Sequence, residues 1–264
     1  MKEPHGEQVE LGFYFGSTAR RDAFERVIKY CCENGGIFDG TVLQSEETGP
    51  RSNRFTHIYD RGVRELTIAV NELEKRLEDK DGDIVKVAIW SAIGTSTDVP
   101  EVVTYGGVSA DASQVDNPTI AVVGEGWVFS TPGYERQAKK VGRRCQKKLM
   151  EICSALDPDY AAILNEDSLP CRYDLARGAG KRCFANFFIS ERAYQQSMLT
   201  AIEALYRDAY TERTSTGIYV STWSMYNPKN ITIANNVAIE RSVRVAQALG
   251  SEGRRDILGG SGDP

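Results

Sequence analysis

The side chains with chemical capacity in this 264-residue chain are mostly carboxylates. They cluster in segments without hydrophobic periodicity: Glu46 with Glu47, Asp111 with Asp116, Asp157 with Asp159, and Glu166 with Asp167. Paired acids at loop positions can act as general acid and base, or can meet the basic side chains of a partner. Binding residues concentrate in loops, although acids also gather there simply for solubility. Histidine contributes little. Only His5 and His57 are present, and neither has a nucleophile or orienting acid at a recognisable spacing. The six cysteines contain no C-x-x-C pair and no zinc spacing, so they read as reduced, mostly buried thiols.

Three local motifs fail on inspection. GAGKR (178–182) has the glycines and lysine of a phosphate loop, but Leu175 stands where a Walker A loop needs Gly, and Arg182 where it needs Ser or Thr. DKDGDI offers Asp79, Asp81 and Asp83 at alternating positions, yet Ile84 replaces the turn glycine of a calcium loop and Trp90 its bidentate glutamate. Glu78-Asp79-Lys80 contains the Glu-x-Lys fragment of restriction-type nucleases, but at a helix end rather than on a strand opposite another acid. With no G-x-S-x-G elbow and no H-E-x-x-H helix either, the expectation is a protein without catalytic, metal or cofactor residues.

Composition narrows the class. A hydrophobic content of 41% fills a core, whereas the longest apolar runs, IVKVAIW and TIAVV, fall far short of the ~20 residues of a membrane span. MKEPHGEQVE shows no apolar signal-peptide core, so the expected location is the cytoplasm. Charge is uneven along the chain. Residues 134–148 hold seven bases and one acid, a local +6 that leaves −11 on the rest of a chain whose net charge is −5. An acidic remainder disfavours nucleic acid and suits a basic protein partner.

Elements to position these residues follow from periodicity. LGFYFGS (11–17) reads as a strand leading into a helix that ends at Asn34-Gly35-Gly36, and IFDGTVL (37–43) resumes extended chain. The spacing of Val63, Leu66, Val70, Leu73 and Leu77 predicts a helix over 60–78. Strands are expected at 84–92, 101–110 and 119–125, then a long helix over 134–156. YAAILN (160–165), CFANFFIS (183–190) and GIYVSTW (217–223) read as further strands, a helix carries Tyr194, Met198, Ile202 and Leu205, and a last helix spans roughly 235–249. The predicted fold is α+β, a mainly antiparallel sheet packed against several amphipathic helices, with one domain over 1–249 and a flexible tail over 250–264.

The order of these segments resembles a known family. GFYFGS with TARRDAFERVIKYC, VAIWSAIG followed by VVTYGGVS, a long helix ending LDPDYAAI, and GIYVSTWSMYNPKN before NNVAIERSVRVAQAL are similar to the immunity protein 52 family of bacterial polymorphic toxin systems. The chain departs from that pattern at Trp90-Ser91-Ala92, where Trp-Asn-Gly is expected, and its final helix lacks an aromatic anchor. The resemblance implies an α+β fold, no catalytic activity, and a role in neutralising a cognate toxin, often a restriction-endonuclease-like nuclease.

The resulting expectation is a stoichiometric inhibitor that meets a basic toxin cleft through Glu46, Glu47, Asp111, Asp116, Asp157, Asp159, Glu166 and Asp167. Trp90, Tyr105, Trp127 and Trp223 are its candidate aromatic anchors, ordinary sheet packing being the alternative role for all four. The competing class is a carboxylate-based enzyme, or a small-ligand binder with a pocket at the sheet.

Overall fold

The computed structural model describes residues 7–16, 18, 20–45, 63–78, 84–105 and 119–258. Its first half runs β1 (Gln8–Tyr14), α1 (Arg20–Glu33), β2 (Ile37–Ser45), β3 (Val63–Thr67), α2 (Val70–Glu78), β4 (Ile84–Trp90), β5 (Glu101–Tyr105), β6 (Thr119–Glu125) and α3 (Glu135–Leu156). The second half runs β7 (Tyr160–Asn165), α4 (Arg172–Ala176), β8 (Asn186–Ser190), α5 (Gln196–Leu205), β9 (Tyr210–Arg213), β10 (Gly217–Ser221) and α6 (Asn235–Leu258). Short 3-10 turns follow β6 and β10 at Trp127–Phe129 and Ser224–Tyr226.

The ten strands form one sheet in the order β3-β2-β4-β5-β6-β1-β7-β8-β10-β9, antiparallel at every pairing, so the α+β expectation holds. β1 lies near the middle, with Gln8 opposite Glu125 of β6 and Val9 opposite Asn165 of β7. Alternate residues enter two cores. Val9, Leu11 and Phe13 point with Ile120, Val122 and Ile163 toward α1, α2 and α3. Tyr160, Ala162, Phe187 and Val220 point the other way, against α4, α5 and α6. Burial on both faces explains why β6 and β7 read as nearly unbroken apolar runs.

Two glycines set close approaches. A β-carbon at Gly12 of β1 would lie 2.6 Å from Leu169 Cβ, so glycine lets the segment after β7 fold back over the sheet. In α3, a β-carbon at Gly142 would lie 2.4 Å from the Met225 carbonyl oxygen, and glycine there seats the helix on the turn after β10.

The expected helix over 60–78 requires correction. Residues 63–67 are strand β3, paired with β2 from Val63 opposite Ser45 to Thr67 opposite Thr41, and the helix begins only at Val70. A spacing of three and four does not discriminate over so few residues, and the open edge of β2 offers the backbone a ladder of hydrogen bonds. Leu73 and Leu77 are buried as the helical stripe requires, but Val70 is 68% exposed. The last helix continues past the expected 249 to Leu258.

Candidate partner-binding surface

Antiparallel order brings distant segments to one end of the sheet. β4, β6, β7 and β10 finish at the end where β1, β5 and β8 begin, as the pairs Gln8–Glu125, Val9–Asn165, Ile89–Glu101 and Ser221–Asn186 require. Whatever follows or precedes those strands is collected there.

The acidic part of this end is built on β1 and the turn after β7. Glu166 sits in the left-handed region at φ 54°, its amide donating to the Gln8 carbonyl at 3.1 Å. The turn then climbs over β1. Leu169 N–H and Ser168 Oγ–H each donate to the buried Glu10 carboxylate at 3.2 Å, and Ser168 N–H donates to Asp167 Oδ1 at 2.9 Å. Gln8, Glu10, Glu166, Asp167 and Ser168 line an open cleft of about 340 Å³. Burial pushes the Glu10 carboxyl up to about 7; the two donors pull against this, and the Asp167 charge adds to it. Glu125, opposite Gln8 on β6, is half-buried and adds a further carboxylate at this end.

Aromatic rings flank the acids. Trp127 packs edge-on to the exposed Tyr134 at a 5.0 Å centroid separation. Phe129 lies 6.2 Å from Trp223 and 5.4 Å from Tyr226, whose hydroxyl donates to Asn165 Oδ1 at 2.9 Å. Trp90 closes β4 opposite Ile37. All three tryptophans are half-buried, so each packs on the fold while keeping an open edge.

Behind Trp90 the chain is braced by a buried acid. Glu101 accepts from the amides of Ala92 (3.1 Å), Gly94 (2.8 Å) and Thr95 (2.7 Å) and from Thr95 Oγ1 (3.0 Å). Ser91 is left-handed with φ 60°, a conformation that Asn and Gly adopt more readily than Ser.

The other candidates lie elsewhere. Asp157 and Asp159 stand at the far end of β7, held internally. Arg192 donates to Asp157 Oδ2 at 2.5 Å and to Asp159 Oδ1 at 3.0 Å, and Arg172 lies 3.8 Å from Asp159 Oδ2. Burial raises the Asp159 carboxyl even so, against both guanidiniums. Tyr105 ends β5, away from the Gln8 end. Glu46, Glu47, Asp111, Asp116 and His57 lie outside the described residues, as do His5 and the 79–83 turn.

Helix α3 supplies opposite charge beside the same end. Part of its basic face serves the fold: Arg144 donates to the Gly94 carbonyl at 2.6 Å, Lys148 to that of Asn34 at 3.4 Å, and Arg143 to Asn230 Oδ1 at 3.3 Å. Arg136, Lys139 and Lys140, in its first turns, are exposed and make no ion pair with described residues. The sheet end is therefore acidic around β1 and basic where α3 begins.

Among the described residues no acid, His or Cys cluster suits a metal ion, and no helix is long and apolar enough to cross a membrane. All six cysteines are unbridged, five of them buried. GAGKR follows helix α4 rather than a strand, so its backbone lacks the strand-to-helix setting of a phosphate loop. Sequence reasoning missed Glu10, Glu101, Glu125 and Arg192. Glu10 offered one signal, an acid set between Val9 and Leu11 in a strand whose residues from Val9 on are otherwise apolar or glycine.

No protein-family model matches the sequence, and no curated protein matches it. Among solved structures the chain is similar to a Pseudomonas aeruginosa T6SS protein, at 10% identity and a TM-score of 0.43, over 90% of this chain and 72% of that one.

Proposed function

We propose that this protein is an immunity protein that binds a cognate bacterial toxin domain stoichiometrically and blocks its basic substrate cleft. The observation that carries the reading is the convergence of Glu125, Glu166 and Asp167 with Trp90, Trp127 and Trp223 at one end of the sheet. Exposed carboxylates raise the association rate toward a basic surface, and half-buried rings beside them supply affinity once water is excluded. The resemblance of the segment order to the immunity protein 52 family supports the same reading. A nuclease is the toxin class whose cleft has the matching charge.

Coexpression with the toxin tests it. Rescue should require at least one protein per toxin, the two should co-purify, and the association rate should fall as salt rises. Rescue at far lower ratios would show turnover and sink the inhibitor reading.

One observation favours a second reading. Glu10, its carboxyl pushed up to about 7 by burial, shares a cleft with the side chains of Glu166 and Asp167, and a raised carboxyl in an open acidic cleft can serve as a general acid. Glu10→Gln separates the two: an inhibitor keeps its protection, whereas an enzyme working through Glu10 loses it.

A further inference from the structure

Arg21, near the start of α1, donates from Nε to the Leu77 carbonyl at 2.9 Å and from Nη2 to that of Arg76 at 3.0 Å, tying it to the end of α2. Beyond that tie a groove of about 370 Å³ opens between the two helices over the start of β2. Its floor is apolar and buried: Ile28, Phe38, Leu73 and Leu77. Ile37, 66% exposed, and Val70, 68% exposed, stand in its walls. Among the described residues the only other large apolar side chain so exposed is Tyr134. Two of three exposed apolar side chains therefore belong to one concavity, a concentration that marks an interaction site more than scattered surface residues do.

The charges around the groove specify its occupant. Glu25, Glu33 and Glu74 line it against one base, Lys29, and none of the three carboxylates has an ion pair with a described residue. We infer that this groove docks a basic amphipathic segment of another protein, its apolar face seated between Ile37 and Val70 and its lysines or arginines against Glu25, Glu33 and Glu74. An apolar face laid in a hydrophobic groove, with complementary charge at the rim, is a general mode of peptide recognition. This second surface goes beyond the toxin-binding reading: Ile37 borders Trp90 across the pairing of β2 with β4, but no residue lining the groove belongs to the set that is proposed to meet the toxin.

The test uses the full chain and a fluorescein-labelled helical peptide of leucine and lysine with its leucines on one face, read by anisotropy. Saturable binding is expected, weakened at least tenfold by Val70→Lys and by Ile37→Lys, and several-fold by Glu33→Gln with Glu74→Gln. An analogue with glutamate for lysine should not bind. Val70 is exposed, so Val70→Lys should keep its circular dichroism and melting temperature. The inference fails if no saturable binding occurs, if Val70→Lys binds like the wild type, or if the acidic analogue binds equally well. It fails equally if Glu166→Gln with Asp167→Asn removes the binding instead, or if ultracentrifugation shows self-association relieved by Val70→Lys, because the occupant is then a second copy of this chain.

Discussion

Arg192 reaches back 35 residues to hold Asp157 twice, its Nε donating to Oδ2 at 2.5 Å and its Nη2 to the backbone carbonyl at 2.9 Å. The residue it holds is the left-handed cap of α3, at φ 49° and ψ 60°, whose amide closes the helix on the Cys153 carbonyl. Arg192 therefore joins the end of α3 to the turn after β8, and the same guanidinium neutralises the buried Asp159.

The two loop acid pairs within the described residues should consequently behave differently. Asp159→Asn should cost no more than about 1 kcal/mol of stability, because the Arg192 guanidinium that it meets is exposed and burial of the Asp159 carboxyl offsets part of the attraction. It should leave the toxin association rate within about twofold of wild type. Glu166→Gln combined with Asp167→Asn should leave the melting temperature nearly unchanged, yet slow association several-fold and flatten its salt dependence. Stopped-flow mixing at two ionic strengths, beside thermal melts, checks both halves.

Glu101 accepts four hydrogen bonds while only 1% exposed. Glu101→Gln replaces one acceptor oxygen by a donor facing amide hydrogens. The variant should lose about 1 to 3 kcal/mol in urea denaturation, and the Trp90 fluorescence environment should change with it. A midpoint equal to wild type would show that the 92–95 turn does not depend on this carboxylate.

Glu10 makes stability depend on pH. Its folded-state value of about 7 lies above the ordinary 4.5, so the folded protein holds this proton more tightly than the unfolded chain. The corresponding stability is fully present below about 4.5 and is lost as pH rises through about 7, on the order of 3 kcal/mol in all. Glu10→Gln should remove that decline. Denaturation midpoints of wild type and variant should therefore diverge between pH 4.5 and 7.5, the variant being relatively more stable at the alkaline end.

Leu73 and Val70 share a helix one turn apart and should respond very differently to truncation. Leu73, 4% exposed, should cost roughly 2 to 5 kcal/mol on replacement by Ala. Val70→Ala, at a position 68% exposed, should change stability by less than about 0.5 kcal/mol. Equal losses at the two positions would place Val70 in the core and close the groove between α1 and α2.

Periodicity by itself determined the elements that are buried enough to constrain every residue. YAAILN coincides with β7 and TIAVVGE with β6, because strands covered on both faces admit few polar side chains. The stripe through Ala138, Val141, Cys145, Leu149 and Ile152 located α3, because only one face of that helix meets the sheet. Periodicity states which face of an element is buried and not which element lies beside it. Hence the pairing of β2 with β3 turned 63–67 into strand against a helical spacing, and the four-residue edge strand β9 carried too short a pattern to read. The candidate surface was decided the same way. Glu166 and Asp167 were legible as an acid pair and the tryptophans as anchors, but only antiparallel order sets Trp90, Trp127, Trp223 and Glu166 at one end of the sheet. Asp157 and Asp159 looked equivalent to that pair in sequence; the arginines that hold them come from Arg172 and Arg192, and a charge remote along the chain acts only once folding makes it near.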